Sequence, residues 1–316
     1  MSTNPIKFTD FIGYGIYGLF AFLIRLLPRP VCLKTGEALG SLAFRVDRRH
    51  RRLALANLER ALGGESAPSD RKRIARSSFR HFGRTTADIL KWPHLKASRR
   101  EKLLRVEGGE HLRRALEEGR GVLVFSAHFG NWEVAAQAVA AFGPLNVVAR
   151  PLDNPLIEAR LGRFRNRLGA KVISKFHAAK AILQALRGNE IVAILIDQRV
   201  QRKEAVFVDF FGSPAATTPS LGSFALRARS PLIPVFCHPG PRSSYLVKIG
   251  PPLPLEPGGD AAEGVLKITQ ASTKMIEAEI RREPGLWFWF HNRWKTPPDT
   301  EVEPEFPAGR ETARRG

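Results

Sequence analysis

From Phe11 to Ile24 the chain reads FIGYGIYGLFAFLI without a charge, and Arg25 closes the run. A full membrane span takes about 20 apolar residues, and shorter runs more often lie in the interface or in a core. Snorkelling by Arg25 can extend this one. The segment lacks a strongly basic start and an A-x-A-like cleavage site, which argues against a cleaved signal peptide. The pattern predicts a membrane anchor over residues 1–27, either a short span or a monotopic helix. A buried amphipathic helix is the alternative reading.

The texture then changes. Residues 28–118 read as mostly helical and basic, with Leu53, Leu55, Leu58 and Leu62 at helical spacing and Gly63-Gly64 as a stop. A second helix is expected from Ser69 to Lys91. After Gly119, apolar runs alternate with helical segments: GVLVFSA, NVVAR, KVIS and IVAILI, then PLIPVFC and SYLVKIG. The intervening helices are NWEVAAQAVAAF, a stretch from Asn154 to Leu168 with an apolar stripe, and HAAKAILQALRGN. Thr218-Pro219 opens another, and a final helix runs from Ala261 to Arg282. Strands alternating with helices imply an α/β fold, a mainly parallel central sheet flanked by helices. The α/β core is placed at 119–297. The polar, Pro-rich tail at 298–316 is expected to be disordered.

Composition changes the picture in one respect. Fifty Lys and Arg face thirty Asp and Glu, a net charge of +20. Such an excess speaks to partners rather than fold: an anionic membrane surface, an acidic protein or substrate, or nucleic acid. No helix-turn-helix, zinc-finger or RNA-binding signature accompanies it, so nucleic acid is set aside. Cys32 and Cys237 lie far apart and suggest neither a disulfide framework nor a metal site. No metal and no cofactor is implied.

The segment His128-Phe129-Gly130-Asn131-Trp132-Glu133 follows the strand GVLVFSA and enters a helix. Ligands of parallel sheets sit at the carboxyl ends of strands, which is where His128 falls. Glu133 belongs to the first helical turn, where a carboxylate is favoured by the helix dipole. Its carboxylate is expected to reach back to the His128 ring, fix the tautomer and leave the other nitrogen as a base. A His five residues before a Glu is common by chance, and its position at a strand end gives the pair weight. No G-x-S-x-G elbow occurs, so direct transfer without an acyl-enzyme is expected. Arg150, at a strand end, is a candidate for binding phosphate or a carbonyl oxygen, or a surface arginine. Asp197, also at a strand end, orients Arg150 or caps a helix. Asn131 donates to an oxyanion or caps the helix that follows. The 206–218 stretch reads as a loop shaping the pocket, or as turn chemistry alone.

HFGNWE resembles the H-x4-(D/E) signature of the glycerolipid acyltransferases, and GNWE its form in the lipid A biosynthesis acyltransferase family. Other blocks agree in order along the chain: Ala149-Arg150-Pro151-Leu152-Asp153-Asn154-Pro155, Asp197-Gln198, Val206-Phe207-Val208-Asp209-Phe210-Phe211-Gly212-Ser213-Pro214-Ala215-Ala216-Thr217-Thr218, Pro231–Val235, and Trp289-Phe290-His291-Asn292-Arg293-Trp294-Lys295. The resemblance implies transfer of a fatty acyl chain from acyl carrier protein, or acyl-CoA, to a hydroxyl of a lipid A precursor. It would occur at the cytoplasmic face of the inner membrane. His128 and Glu133 would be catalytic, with Arg150, Asn131 and Asp197 binding substrate. Two alternatives stand beside it: an acyltransferase of another membrane lipid or glycolipid, which would use the same residues, and a non-enzymatic basic protein binding membrane or nucleic acid, which would leave the His128–Glu133 pair without a role.

Overall fold

The computed structural model describes residues 6–176, 178–254 and 260–296. The tail expected at 298–316 lies outside the described residues, as does His177 at the start of one expected helix. The chain begins with helices α1 (Phe8–Leu26), α2 (Arg29–Val46), α3 (Arg48–Leu62), α4 (Pro68–Lys91) and α5 (Ala97–Leu103). Strand β1 (Leu104–Glu107) and α6 (Gly109–Glu117) follow, then β2 (Val122–Ser126), α7 (Trp132–Ala140), β3 (Leu145–Ala149), α8 (Pro155–Arg167), β4 (Ala170–Ser174), α9 (Ala178–Arg187) and β5 (Ile191–Leu195). The last part holds β6 (Val206–Phe210), β7 (Ser213–Thr217), α10 (Ser220–Ala228), β8 (Leu232–Pro239), β9 (Tyr245–Ile249) and α11 (Ala261–Arg282).

Local chemistry sets several of these boundaries. Asn154 caps α8, its side chain accepting from the Leu156 and Ile157 amides, and Pro155 occupies the first helical position. Asp260 caps α11 through the Glu263 amide. Helices α2 and α4 cross closely because Gly36 and Gly83 face each other, and a Cβ on Gly36 would lie 2.4 Å from the Gly83 carbonyl oxygen. That contact holds α4 in place as a wall of the site described below.

The central sheet has the order β1-β9-β8-β2-β5-β3-β4 and is parallel throughout except for the β8/β9 pair. This is the mainly parallel α/β architecture that the alternation of strands and helices implies. Alternate residues of β2 enter different cores. Val122 and Val124 pack with Val134, Ala135, Ala138 and Val139 of α7. Leu123 and Phe125 pack with α9, α10, α11 and the Trp287, Trp289 and Trp294 indoles. A strand buried on both faces reads as a continuous apolar run, as GVLVFSA and IVAILI do.

One expectation is corrected and one is extended. Among the mostly helical residues 28–118 lies β1, which pairs in parallel with β9 at the sheet's edge. A four-residue strand between two helices leaves no period long enough to read. The 206–218 stretch is largely an antiparallel hairpin, β6 with β7, rather than a loop.

At the end of β8, His238 is clasped by α11, with Nδ1 2.6 Å from Glu283 and Nε2 2.8 Å from Glu279. Burial pulls its pKa down, but the two carboxylates outweigh burial and the net shift is upward. Its contribution to stability is therefore complete below the unfolded value, about 6.5, and is lost as pH rises through the folded one. Denaturant midpoints of the protein and of His238→Gln should differ more at pH 6 than at pH 9.

Candidate active site

Strands β2 and β5 pair in parallel with Ser126 opposite Leu195. Carried two residues further, that register sets His128 opposite Asp197, on the same face of the sheet. The Asp197 Oδ1 lies 2.9 Å from His128 Nδ1, and its Oδ2 accepts from the His128 backbone amide at 2.9 Å. The Trp287 indole N–H also donates to Oδ2, at 2.8 Å. Asp197 is fully buried. Burial alone would push its pKa up, but the His128 ring, His291 and the Trp287 donor outweigh it and hold the carboxyl well below the ordinary range. Asp197 is therefore an anion. It draws the ring proton of His128 onto Nδ1 and leaves Nε2 as the basic nitrogen. The Gln198 amide nitrogen sits 3.4 Å from Nε2.

The loop that presents His128 is built to one shape. Gly130 has φ +58°, and a Cβ there would fall 1.6 Å from the Cys237 carbonyl oxygen; only glycine fits. The segment after α11 runs antiparallel to this loop. Leu286 accepts from the Gly130 amide at 3.0 Å, and Phe288 donates to the His128 carbonyl at 3.2 Å. Helices α3 and α4 hold that segment in turn, through Asn57 to the Trp289 and His291 carbonyls and Ser78 to the Trp287 carbonyl. Arg293 is fully buried over the Phe210 ring and donates to the Ala216 carbonyl and the Thr217 hydroxyl. The WFWFHNRW run thus serves as packing, as its aromatic content suggests, and as a clamp on the His128 loop.

Glu133 does not reach the His128 ring. It makes a two-point pair with Arg165 of α8, Oε2 at 3.1 Å from Nε and Oε1 at 2.5 Å from Nη2. The helix start turns the Glu133 side chain toward α8, whereas β-sheet register delivers Asp197 to the ring from a distant part of the sequence. Burial opposes the charge on Arg165, but the Glu133 carboxylate outweighs it and keeps the guanidinium ionised. The expectation that Asp197 orients Arg150 is corrected likewise: it orients His128.

His128, Glu133, Arg150 and Arg165 line one cavity of about 1230 Å³ at the carboxyl ends of β2, β3 and β5. Small-molecule sites run to roughly 300–1,000 Å³, so this one is large. Its walls are mainly hydrocarbon, from Val124, Ala135, Val139, Val147 and Ala193. Arg150 stands exposed at the mouth, paired with Asp153 at 2.9 Å. Asn131 is not among the lining residues. It is buried, caps α7 through the Val134 amide and donates to the Tyr245 hydroxyl. Tyr245 donates to Asp88, which Arg29 grips at two points. The structure therefore assigns Asn131 to capping rather than to substrate. Sequence reasoning missed Arg165 and Trp287. Arg165 sits in a helix with several arginines, and nothing local marks it. Trp287 stands in a block of aromatic residues.

The His128–Asp197 pair thus stands beside a cavity walled mainly by hydrocarbon. Residues 3–296 match the bacterial lipid A biosynthesis acyltransferase family, and the chain belongs to that family. It is similar to the lipid A biosynthesis palmitoleoyltransferase of Escherichia coli strain K12, 29% identical over 301 residues that cover 93% of this chain and 94% of that one. It is 28% identical to the lauroyltransferase of the same organism over 94% of each chain. It is also 26% identical to the phosphatidylinositol mannoside acyltransferase of Mycolicibacterium smegmatis, over 75% of this chain and 77% of that one. The protein is an acyltransferase acting on lipid A or a related glycolipid.

Trp287→Phe tests the clamp. It keeps the ring buried and removes one hydrogen bond to a charged group, worth about 1.5–3 kcal/mol. We expect kcat to fall about tenfold with KM unchanged in steady-state assays.

Proposed function

We propose that the enzyme transfers a fatty acyl chain from acyl carrier protein, or acyl-CoA, directly to a hydroxyl of a lipid A precursor. The observation that carries the mechanism is the His128–Asp197 pair opening on the hydrocarbon cavity. His128 Nε2 takes the acceptor hydroxyl proton as the oxygen attacks the thioester carbonyl. Asp197 stabilises the imidazolium that forms. The tetrahedral intermediate collapses, the C–S bond breaks, and the imidazolium returns its proton to the departing thiolate. Arg165, held by Glu133 in the cavity wall, supplies positive charge for the developing oxyanion. Glu133 acts through Arg165 and Arg150 guards the mouth.

Membrane association is read from α1. One face packs on the body: Asn154 donates to the Asp10 carbonyl at 2.9 Å, Tyr17 lines the cavity, and Ala21 and Ile24 are buried. The other face exposes Phe8, Phe11, Ile12, Ile16, Leu19, Phe22, Leu23 and Leu26. The length and composition of α1 would suffice for a span. Its packing favours a helix lying in the interface with its apolar face in the bilayer. The catalytic body then sits on the cytoplasmic side of the inner membrane, where the basic surface meets anionic lipid.

The test is an assay of the membrane-bound protein with labelled acyl carrier protein thioester and a tetra-acylated lipid A precursor. Formation of the further-acylated product supports the reading. Transfer to phosphatidylinositol mannoside and not to lipid A would overturn the acceptor assignment.

A further inference from the structure

Between Glu158 and Glu190 the chain carries eight Lys and Arg and no acidic residue. This stretch comprises most of α8, then β4 and α9. Strand β4 is the outer strand of the sheet beyond β3. Lys171, Lys175, Lys180 and Arg187 are all exposed along β4 and α9. Phe176 stands among them, 58% exposed, with the Lys175 ammonium 5.3 Å from its ring. Lys175 is tied to the end of β3 by its amide, which donates to the Ala149 carbonyl at 2.9 Å. Lys175, Phe176 and Ala179 line the mouth of the catalytic cavity.

The position of this patch separates it from the membrane-binding face. Helix α1 packs on α4 and α8, with α7 on the Val124 side of the sheet. Helix α9 packs its Ile182 and Leu186 into the core on the Phe125 side. The cavity thus has a rim against the apolar helix and, across the strand ends, a rim that is basic and centred on an exposed aromatic ring. The arginine-rich stretch from Arg45 to Arg60 contributes no residue to the cavity lining among the described residues.

We infer that the β4–α9 face, Lys171, Lys175, Phe176, Lys180 and Arg187, is the docking surface for an acidic carrier protein that delivers the acyl thioester. This rests on the reading that the donor is protein-bound. An acidic helical surface would pair with the lysines, Phe176 would fill a small apolar pocket on the partner, and a flexible prosthetic arm would enter beside Ala179 toward His128. A membrane-bound acceptor and a water-soluble donor then approach the same base from different rims. Complementary charge of this kind steers association and is screened by salt.

The experiment is steady-state transfer from acyl carrier protein thioester by the full-length protein and by Lys171→Glu/Lys180→Glu, two exposed positions outside the cavity lining. The KM for the carrier should rise at least tenfold in the variant while kcat stays within about twofold. Raising salt should raise KM steeply in the wild type and weakly in the variant. Phe176→Ala should raise KM without changing its salt dependence. Binding to vesicles containing anionic phospholipid should be the same for all. An unchanged KM in the double variant, with an active wild type, overturns the docking surface alone. Loss of vesicle binding in parallel with activity overturns it in favour of a lipid-facing patch. Wild-type transfer from acyl-CoA but not from the carrier overturns the donor reading, and the docking surface with it.

Discussion

Asp197→Asn should lower kcat for acyl transfer by about 10³- to 10⁴-fold while the protein stays folded. The substitution keeps the size of the side chain and its place beneath His128, but an amide is neutral and presents its nitrogen to one of the groups now bonded. The anion accepts three donors: the His128 ring, the His128 amide and the Trp287 indole. An asparagine oxygen can serve only part of that set, so the ring is free to take the other tautomer and the imidazolium loses its counter-charge. In base–carboxylate pairs of this kind, the loss runs to about 10⁴. The pH dependence of kcat/KM should move as well, because the partner of the base has changed. A loss below about tenfold in single-turnover assays would show that Asp197 is not the orienting group.

Glu133→Gln should cost about 10²-fold in kcat and leave the pH profile in place. That combination separates its role from that of Asp197. Glu133 bonds Arg165 at two points and both groups are largely buried. Removing the carboxylate charge leaves a buried guanidinium without its partner, and breaking such a pair costs about 3–5 kcal/mol. The arginine is then expected to swing out of the cavity wall, and the developing oxyanion loses a nearby positive charge. His128 keeps its Asp197 partner, so the acid limb of the profile stays. A Glu133→Gln profile shifted like that of Asp197→Asn would return Glu133 to the role of ring partner.

The fold was largely legible because its signals are local. Buried strands read as apolar runs, and Asn154, Pro155 and Asp260 mark helix starts by their own chemistry. β1 was hidden because four residues between helices carry no period. At the site, His128 was legible from its place at a strand end beside glycine. Its partner was not, because the pairing is made by sheet register: residues 69 apart meet only once β2 and β5 are aligned. Glu133 is near in sequence and was the natural candidate, yet the first turn of α7 directs it toward α8. Arg165 and Trp287 were invisible for the same reason, since each acts through a contact between distant segments. Asn131 could be read as either cap or donor, and only its burial against Tyr245 decides between them.

The role of His128 as base is tested most directly by single-turnover acyl transfer to lipid A precursor by His128→Asn, a substitution that retains a polar side chain on the loop. General base catalysis contributes about 10²- to 10⁴-fold, and in the proposed mechanism His128 is the base for attack and the acid for departure. The rate should fall at least 10³-fold below wild type with the fold intact. A rate within tenfold of wild type would contradict that role.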